Sequence, residues 1–371
     1  MENKPTRRLP WATVLVVVAL VCVIAYFAAT QLANWRMPQL RKATAVSARS
    51  GQTIHALKNG MAYYDGTTVH ALDGNGRQMW SHAAGGGADF SVGDGGIAIW
   101  MGTSLSLVNA DNGTVPFTGT VEGPVISAYF GTNYAAVQIG QSIGGVTQEH
   151  NSVMLLLDTG GRQIDRIELP NQTVLDFGFF TNGTLFWVMS LDTEGTEPLC
   201  SVSTYKPGRM LAGTISDTEQ MLYDVMFQST QLRVVGLTNI KDYKYDSKEI
   251  IDNRILVYGW YLMDVDESKN NPLMVFVPKS EVEGGAGISD VRLIQGQHDQ
   301  TIRLPSAAEQ VFAKKDTLYA FSNDRVMVCS VGATEPSTFM LPVHIDNVIA
   351  LTDNQSAIVT SGGSVYMIPL Q

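Results

Sequence analysis

Short runs of apolar and β-branched residues alternate with turn residues along most of this chain. The stretch Met61–Trp80, "MAYYDGTTVHALDGNGRQMW", shows the pattern: strand, four-residue turn, strand, Gly-rich turn, strand. Beyond residue 42, no stretch of useful length has apolar residues at the 3.6-residue spacing of an amphipathic helix. The 35 glycines fall mainly between the apolar runs, as turn residues do in all-β proteins. The pattern therefore predicts an all-β fold.

The strand–turn–strand pattern recurs at a loose period. Later copies begin at Ile97, Ala135, Thr184, Leu232, Leu318 and Ala357. Most spacings suit one four-stranded blade of a β-propeller, about 35–50 residues. The longest interval, from Leu232 to Leu318, holds either one enlarged blade or two, the second using "PLMVFV" and "VRLIQ". Residues 43–371 are therefore predicted to form a seven- or eight-bladed β-propeller, with two stacked β-sandwich domains as the alternative.

The last copy of the pattern ends at Gln371 with too few strands for a full blade. The segment Ala43–Arg49, "ATAVSAR", has the pattern of one strand. Each blade of a propeller is apolar on both faces, so a closed ring is needed to cover all of them. We predict that Ala43–Arg49 completes the last blade and closes the ring.

The apolar run over residues 9–35 contains no charged side chain. About 20 residues of helix cross the hydrocarbon layer of a bilayer, and Trp11 and Trp35 stand at the two ends, where indole rings favour the headgroup region. The competing interpretation, a cleaved signal peptide, has a shorter apolar core and a small-residue cleavage site. We predict one transmembrane helix in the lipid bilayer over residues 9–35, between a tail (1–8) and a short linker (36–42).

The orientation of this segment is not decided by the basic residues beside it. Three precede it and three follow it: Lys4, Arg7, Arg8, Arg36, Arg41 and Lys42. The first three lie with the amino terminus, and the large acidic domain that follows is similar to exported domains. We therefore predict a cell-membrane protein with a cytoplasmic N-terminus and an extracytoplasmic propeller.

The segment Val69–Trp80, "VHALDGNGRQMW", resembles the repeat of quinoprotein-like propellers, in which a strand ending in Ala-Leu-Asp leads through a Gly turn to a strand ending in Trp. The resemblance implies that Asp73 accepts backbone N–H groups in the turn and that Trp80 packs between adjacent blades. The family includes enzymes that bind pyrroloquinoline quinone and scaffolds that bind no cofactor. Those enzymes have adjacent cysteines, which this sequence lacks. No cofactor is therefore expected, and the chain is similar to uncharacterised membrane-anchored bacterial proteins of this type.

Charge and cysteine content narrow the function further. Residues 43–371 carry 19 basic and 34 acidic side chains, so this domain repels phosphate backbones and no nucleic-acid partner is expected. Cys200 and Cys329 could pair outside the cell, but nothing in the sequence requires a disulfide. The Cys and His residues do not have the spacing of a zinc site.

Three motifs are similar to catalytic or metal-binding signatures. "GQSIG" around Ser142 matches a hydrolase nucleophile elbow, but Gly and Thr residues follow it, which favours a hairpin loop. Ser203–Lys206 matches Ser-x-x-Lys and is interpreted as a strand entering a Lys-Pro-Gly turn. The segment Asp264–Asn271 has alternate oxygen side chains, but it departs from the EF-hand pattern and is interpreted as a solvated hairpin tip.

The segment Thr238–Arg254, "TNIKDYKYDSKEIIDNR", separates two strand-like runs. A long loop in a compact domain is often functional, and exposed tyrosines favour recognition. The candidate partner-binding residues are Lys241, Tyr243, Lys244 and Tyr245, with a plain surface insertion as the alternative.

The prediction for function is a non-catalytic binding or assembly scaffold in the cell envelope, with an envelope protein or a cell-wall polymer as partner. The alternative is a propeller enzyme with a site in the central channel, acting on a quinone-linked or glycan substrate. The fold cannot choose between them.

Overall fold

The computed structural model describes residues 15–26, 38–40, 42–143, 146–180, 183–192, 194, 197–228, 231–244, 246–267, 271–285 and 287–370. Most of them form short antiparallel strands, because β-branched and apolar runs end at Gly, Asn and Asp turns. The first four blades contain strands β2 to β17. Blade 1 comprises β2 (Ile54–Leu57), β3 (Gly60–Tyr64), β4 (Thr68–Asp73) and β5 (Gln78–Ala83); blade 2, β6 (Asp89–Gly93), β7 (Gly96–Met101), β8 (Ser104–Val108) and β9 (Phe117–Thr120); blade 3, β10 (Val125–Phe130), β11 (Tyr134–Ile143), β12 (Val146–Asp158) and β13 (Gln163–Leu169); blade 4, β14 (Gln172–Phe179), β15 (Phe186–Asp192), β16 (Leu199–Lys206) and β17 (Met210–Asp217).

The remaining four blades contain β18 to β32 and β1. Blade 5 comprises β18 (Leu222–Gln228), β19 (Gln231–Gly236), β20 (Asn239–Lys244) and β21 (Ile255–Leu256); blade 6, β22 (Trp260–Asp266), β23 (Leu273–Pro278), β24 (Ile288–Gln295) and β25 (His298–Ala308); blade 7, β26 (Gln310–Lys314), β27 (Thr317–Phe321), β28 (Arg325–Ser330) and β29 (Ser337–Met340); blade 8, β30 (Asn347–Leu351), β31 (Ser356–Ser361), β32 (Ser364–Pro369) and β1 (Thr44–Arg49). Short helices cover residues 15–26, Lys279–Gly284 and, as a 3-10 turn, Ile251–Asn253.

These sheets form an eight-bladed β-propeller. The described residues bury eight hydrophobic clusters, and each cluster draws its members from two neighbouring blades, including blades 8 and 1. A ring of eight blades has eight such interfaces, so the clusters show a closed ring rather than two sandwiches. The long interval from Leu232 to Leu318 contains two blades rather than one, because "PLMVFV" and "VRLIQ" lie in β23 and β24 of a separate blade 6. The ring therefore has eight blades and not seven.

The N-terminal strand closes the ring, as predicted. β1 pairs antiparallel with β32, and Thr44 lies opposite Met367. The preceding residues also bind the neighbouring blade: the Leu40 N–H donates to the Met340 carbonyl at 2.9 Å, and the Met340 N–H donates to the Pro38 carbonyl at the same distance. Leu40 is buried between blades 7 and 8. The chain is therefore tied to two blades before it enters blade 1.

Both residues that carry the repeat resemblance have the expected local roles. Asp73 Oδ1 accepts the N–H groups of Asn75 and Arg77, each at 2.9 Å. The indole N–H of Trp80 donates to the carbonyl of Ala110 in blade 2 at 2.8 Å. Trp80 therefore bridges two blades.

The predicted transmembrane segment lies partly outside the described residues, as do Trp11 and Trp35. Its described portion is the helix over residues 15–26. In the part of the chain that the structure describes, no helix has both the length and the apolar character needed to cross a membrane.

Candidate functional site

The segment Thr238–Arg254 is not a single exposed loop. Its first part is β20, the third strand of blade 5, and Lys241 and Tyr243 are buried in it. The expectation that these two side chains are exposed was wrong, because a propeller strand is covered on both faces by neighbouring blades. Lys244, the last residue of the strand, is exposed, and Tyr245 lies outside the described residues. A partner contact of these four residues stays a prediction.

The buried polar groups of β20 have ionic partners. Lys241 Nζ lies 2.8 Å from Asp217 Oδ2, at the end of β17 in blade 4, so this ion pair joins two blades. Asp242 accepts two hydrogen bonds from Arg233, at 2.8 and 2.9 Å, and both side chains are 1% exposed. Tyr243 packs in the cluster between blades 4 and 5. These contacts are structural, and they make β20 part of the rigid ring.

The second part of the segment follows the open edge of β20. The Ile250 N–H donates to the Asp242 carbonyl at 2.8 Å, and Tyr243 forms a bridge with Glu249. The outer strand β21 is only two residues long, so this return of the chain covers the rest of the edge. The insertion thus protects an edge that would otherwise be open to pairing.

A groove lies on one face of the ring beside this segment. We call this the lower face; it carries the turns between the first and second and between the third and fourth strands of each blade. The groove has a volume of about 840 Å³. It is lined by turns of blades 3, 4 and 5: Asn133, Tyr134, Gly183, Thr184, Leu185, Lys206, Pro207, Arg209, Leu211, Ala212 and Asp246. Asp246 brings the predicted partner-binding segment to the edge of this groove, which we call the blade 4–5 groove.

The blade 4 turn at this groove differs in charge from the equivalent turns of blades 1 and 3. In blade 1, the Arg77 guanidinium donates to Asp73 at 2.9 Å; in blade 3, Arg162 donates to Asp158 at 3.0 Å. In blade 4, Lys206 stands at the position equivalent to these aspartates, the last residue of the third strand. Among the described residues, neither Lys206 nor Arg209 forms an ion pair, so this turn carries two basic side chains that no carboxylate binds directly.

The sequence interpretation missed this basic pair, although the turns could have been aligned. Lys206 was placed, as the structure confirms, at the end of a strand entering a Lys-Pro-Gly turn. The feature that matters is that Lys206 replaces the Asp found in the turns of blades 1 and 3. Lys244 occupies the same end-of-strand position in blade 5.

The first strands of the blades line the central channel, and three successive ones carry an aspartate at the same place. Asp176, Asp224 and Asp264 each follow a register shift in β14, β18 and β22. The segments "VLDF", "LYDV" and "LMDV" contain the recurring aspartate, so this row could have been found from the sequence. The row gives one side of the channel a strong negative potential.

The surroundings of these carboxyls raise their pKa values. For Asp224 and Asp264 the pKa rises to about 6, chiefly because the protein around each restricts its hydration; Asp176 and Asp264 add repulsion at Asp224. The pKa of Glu267, which follows β22, is raised to about 8 by the same restriction and by the charge of Asp224. Water reaches the exposed Glu267 side chain, so its charge is partly screened.

The motifs that are similar to catalytic signatures lie in a different structural context from the one those signatures have in enzymes. Ser142 lies in β11, which continues into an antiparallel hairpin with β12 and not into a helix. Cys200 and Cys329 are free, buried thiols in blades 4 and 7. In the described part of the chain, no group of three or more His, Cys, Asp or Glu residues could hold a metal ion.

Comparisons with known proteins support the architecture. No protein-family model matches the chain, and no curated protein matches its sequence. The C-terminal WD40 domain of Sif2 is similar, at 11% identity and a TM-score of 0.58, over 90% of this chain and 99% of that one. Sqt1 of Saccharomyces cerevisiae is similar at 8% identity and a TM-score of 0.57, over 90% and 100% of the two chains. At such identities the likeness shows the fold alone: the chain is an eight-bladed propeller with WD40-like structural neighbours.

Proposed function

We propose that this chain is a membrane-anchored, extracytoplasmic propeller that acts as a non-catalytic binding scaffold in the cell envelope. The observation that carries the scaffold role is the blade 4–5 groove, a concave surface on a rigid ring. Binding through the turns on one face is how propellers commonly work, because the blades hold the turns in place. The partner is an envelope protein or a cell-wall polymer.

The anchor in this proposal rests on the N-terminal segment. Residues 9–35 carry no charge, and the side chains of the helix over residues 15–26 are exposed; for example, Val16 is 65% exposed and Ile24 is 58% exposed. A continuous exposed apolar surface of this kind requires a lipid or protein cover. Asp73 and Trp80 belong to the quinoprotein-like repeat, and this resemblance supports a membrane-anchored envelope protein of that type. It does not imply that the chain binds a cofactor.

A crosslinking experiment tests the scaffold role. A photoactivatable amino acid would replace Leu211, which is 53% exposed in the groove, in the full chain in native membranes. Val115, 39% exposed on blade 2 outside the groove, is the matched control position. The proposal predicts one discrete adduct from position 211 and none from position 115. Absence of an adduct at 211, or identical adducts at both, would overturn it.

Thiol labelling tests the topology. An introduced cysteine at the exposed Thr120 should react with a membrane-impermeant maleimide on intact cells, whereas one at Asn3 should react only after lysis. The opposite pattern would place the propeller in the cytoplasm.

A channel enzyme is the second candidate, and the raised pKa of Glu267 favours it, because a carboxyl that titrates near neutral pH can act as a general acid or base. The two candidates differ in one outcome: an enzyme predicts turnover of a quinone-linked or glycan substrate that Glu267→Gln abolishes, whereas a scaffold predicts no turnover by either chain.

A further inference from the structure

We propose that the blade 4–5 groove binds an acidic peptide segment of a partner protein, with an apolar side chain between acidic ones. This inference rests on the proposed scaffold function and specifies the chemistry of the partner. It is carried by apolar side chains, which we call the floor, and by Lys206 and Arg209, which we call the rim; both sets line the same groove.

The floor consists of the apolar part of the groove lining. Leu185 is buried, and Tyr134, Pro207 and Ala212 are partly buried. Leu211 presents an exposed aliphatic side chain at the same place. A small inorganic anion would leave this surface wet, whereas an apolar side chain would cover it at a gain of about 25 cal/mol per Å² removed from water. The floor thus favours a peptide over a free phosphate.

The rim supplies positive charge. Lys206 and Arg209 form no ion pair within the described residues, unlike Arg77 and Arg162 in the equivalent turns. A guanidinium can bind a carboxylate with two parallel hydrogen bonds. The domain as a whole is strongly acidic, so an acidic partner would bind at a local basic site rather than at an average surface.

The acidic groups near the rim are already engaged. Asp246 lines the groove, and its carboxylate lies 3.0 Å from Lys248 Nζ. Asp165 in blade 3 accepts the Gly208 N–H at 2.6 Å and keeps its negative charge. Within the described residues neither carboxylate forms an ion pair with Lys206 or Arg209, so both basic side chains can contact a ligand.

The test measures fluorescence anisotropy of three labelled hexapeptides with the full chain in neutral detergent: EELFEE, its basic counterpart KKLFKK, and EEGSEE without the apolar centre. We expect EELFEE to bind with a Kd on the order of 100 µM or tighter, and the other two at least tenfold more weakly. Equal binding of EEGSEE would show ion exchange only and would overturn the proposal, as would preference for KKLFKK.

Two matched double variants locate the binding. Lys206→Gln with Arg209→Gln removes two charges at the groove, and Arg77→Gln with Arg162→Gln removes two at equivalent turns elsewhere. We expect the first to weaken EELFEE binding at least fivefold and the second to change it less than twofold. Leu211→Ser should also weaken it. An equal effect of the two double variants would overturn the proposal.

Short-chain phosphatidylglycerol, added as a competitor, separates a peptide site from a lipid-headgroup site. The proposal predicts no displacement of EELFEE; displacement at equal concentration would overturn the peptide assignment. The scaffold function is judged separately by the Leu211 adduct in membranes. An adduct without EELFEE binding would overturn the acidic-peptide inference and leave the scaffold function standing. EELFEE binding without an adduct would show a peptide site but would overturn the scaffold function.

Discussion

The indole ring of Trp80 in blade 1 lies directly on Gly113 in the third turn of blade 2. A Cβ at Gly113 would stand 2.6 Å from the indole Cγ, and the glycine has a φ of 71°. The same contact recurs at two neighbouring interfaces: Phe117 of blade 2 lies on Gly161 of blade 3, and Val46 of blade 8 on Gly76 of blade 1. At these three interfaces, an apolar residue of the outer strand packs on a left-handed glycine of the next blade. This relationship is the physical reason for the Gly-turn–Trp pattern in the sequence.

Gly113→Ala should therefore destabilise the propeller more than an ordinary glycine substitution. Gly102→Ala is the control, since Gly102 has a φ of 59° but nothing within 4 Å of the added Cβ. Left-handed strain costs about 1–2 kcal/mol at either position, and the clash with Trp80 adds roughly 1–3 kcal/mol. Urea unfolding of both variants measures the difference. Equal losses would show that the Trp80 contact does not hold the blades together.

Closure of the ring by β1 predicts a sharp dependence on where the N-terminus is cut. Deleting residues 1–37 leaves the contacts of Pro38 and Leu40 with blade 7 in place, so stability should hardly change. Deleting residues 1–52 exposes the edge of β32 and should lower the melting temperature by at least roughly 10 °C or cause aggregation. Similar melting curves for the two truncations would argue against the clasp.

The ion pair between blades 4 and 5 predicts different effects for two lysines of one strand. Lys241→Ala leaves the carboxylate of Asp217 buried without its partner, which should cost about 3–5 kcal/mol. Lys244→Ala removes an exposed side chain and should stay within about 0.5 kcal/mol. Chemical denaturation of the two variants provides the comparison. A small loss for Lys241→Ala would mean that the pair adds little to the blade interface.

The raised pKa of Glu267 predicts a pH-dependent stability. A glutamate titrates near pH 4.3 in an unfolded chain and at about 8 in the folded channel. Between these values the folded state holds more protons, so this group lowers stability as the pH rises through the window. Glu267→Gln should raise the melting temperature at pH 8 by roughly 1–3 °C, after allowance for screening by channel water. At pH 5 it should have little effect, and Glu335→Gln, at an exposed turn of blade 7, should have none at either pH.

Much of the fold could be predicted from the sequence, because the repeat of blades 1 to 3 has short turns with Asp, Asn and Gly. The count of blades could not, since blade 5 replaces most of its outer strand with an insertion and the pattern fades there. The closing role of Ala43–Arg49 followed from the missing last strand, a purely local observation.

The site was harder to predict. Lys241 and Tyr243 lie in a polar stretch of sequence, which is typical of exposed segments. They are buried because Asp217 and the apolar residues of blade 4 contact them, and the local sequence does not identify these distant partners. The basic pair at Lys206 and Arg209 is visible only when equivalent turns are compared. The charge of one turn indicates a binding site only when it is compared with the charges of the equivalent turns in the other blades.

The central claim is that the blade 4–5 groove is where a partner binds, and the most direct measurement combines the crosslink with the matched charge variants. The Leu211 adduct would be quantified in native membranes for the chain with Lys206→Gln and Arg209→Gln and for the chain with Arg77→Gln and Arg162→Gln. The account predicts at least a fivefold loss of adduct in the first and an unchanged yield in the second. Equal yields from both, with the adduct still present, would contradict it.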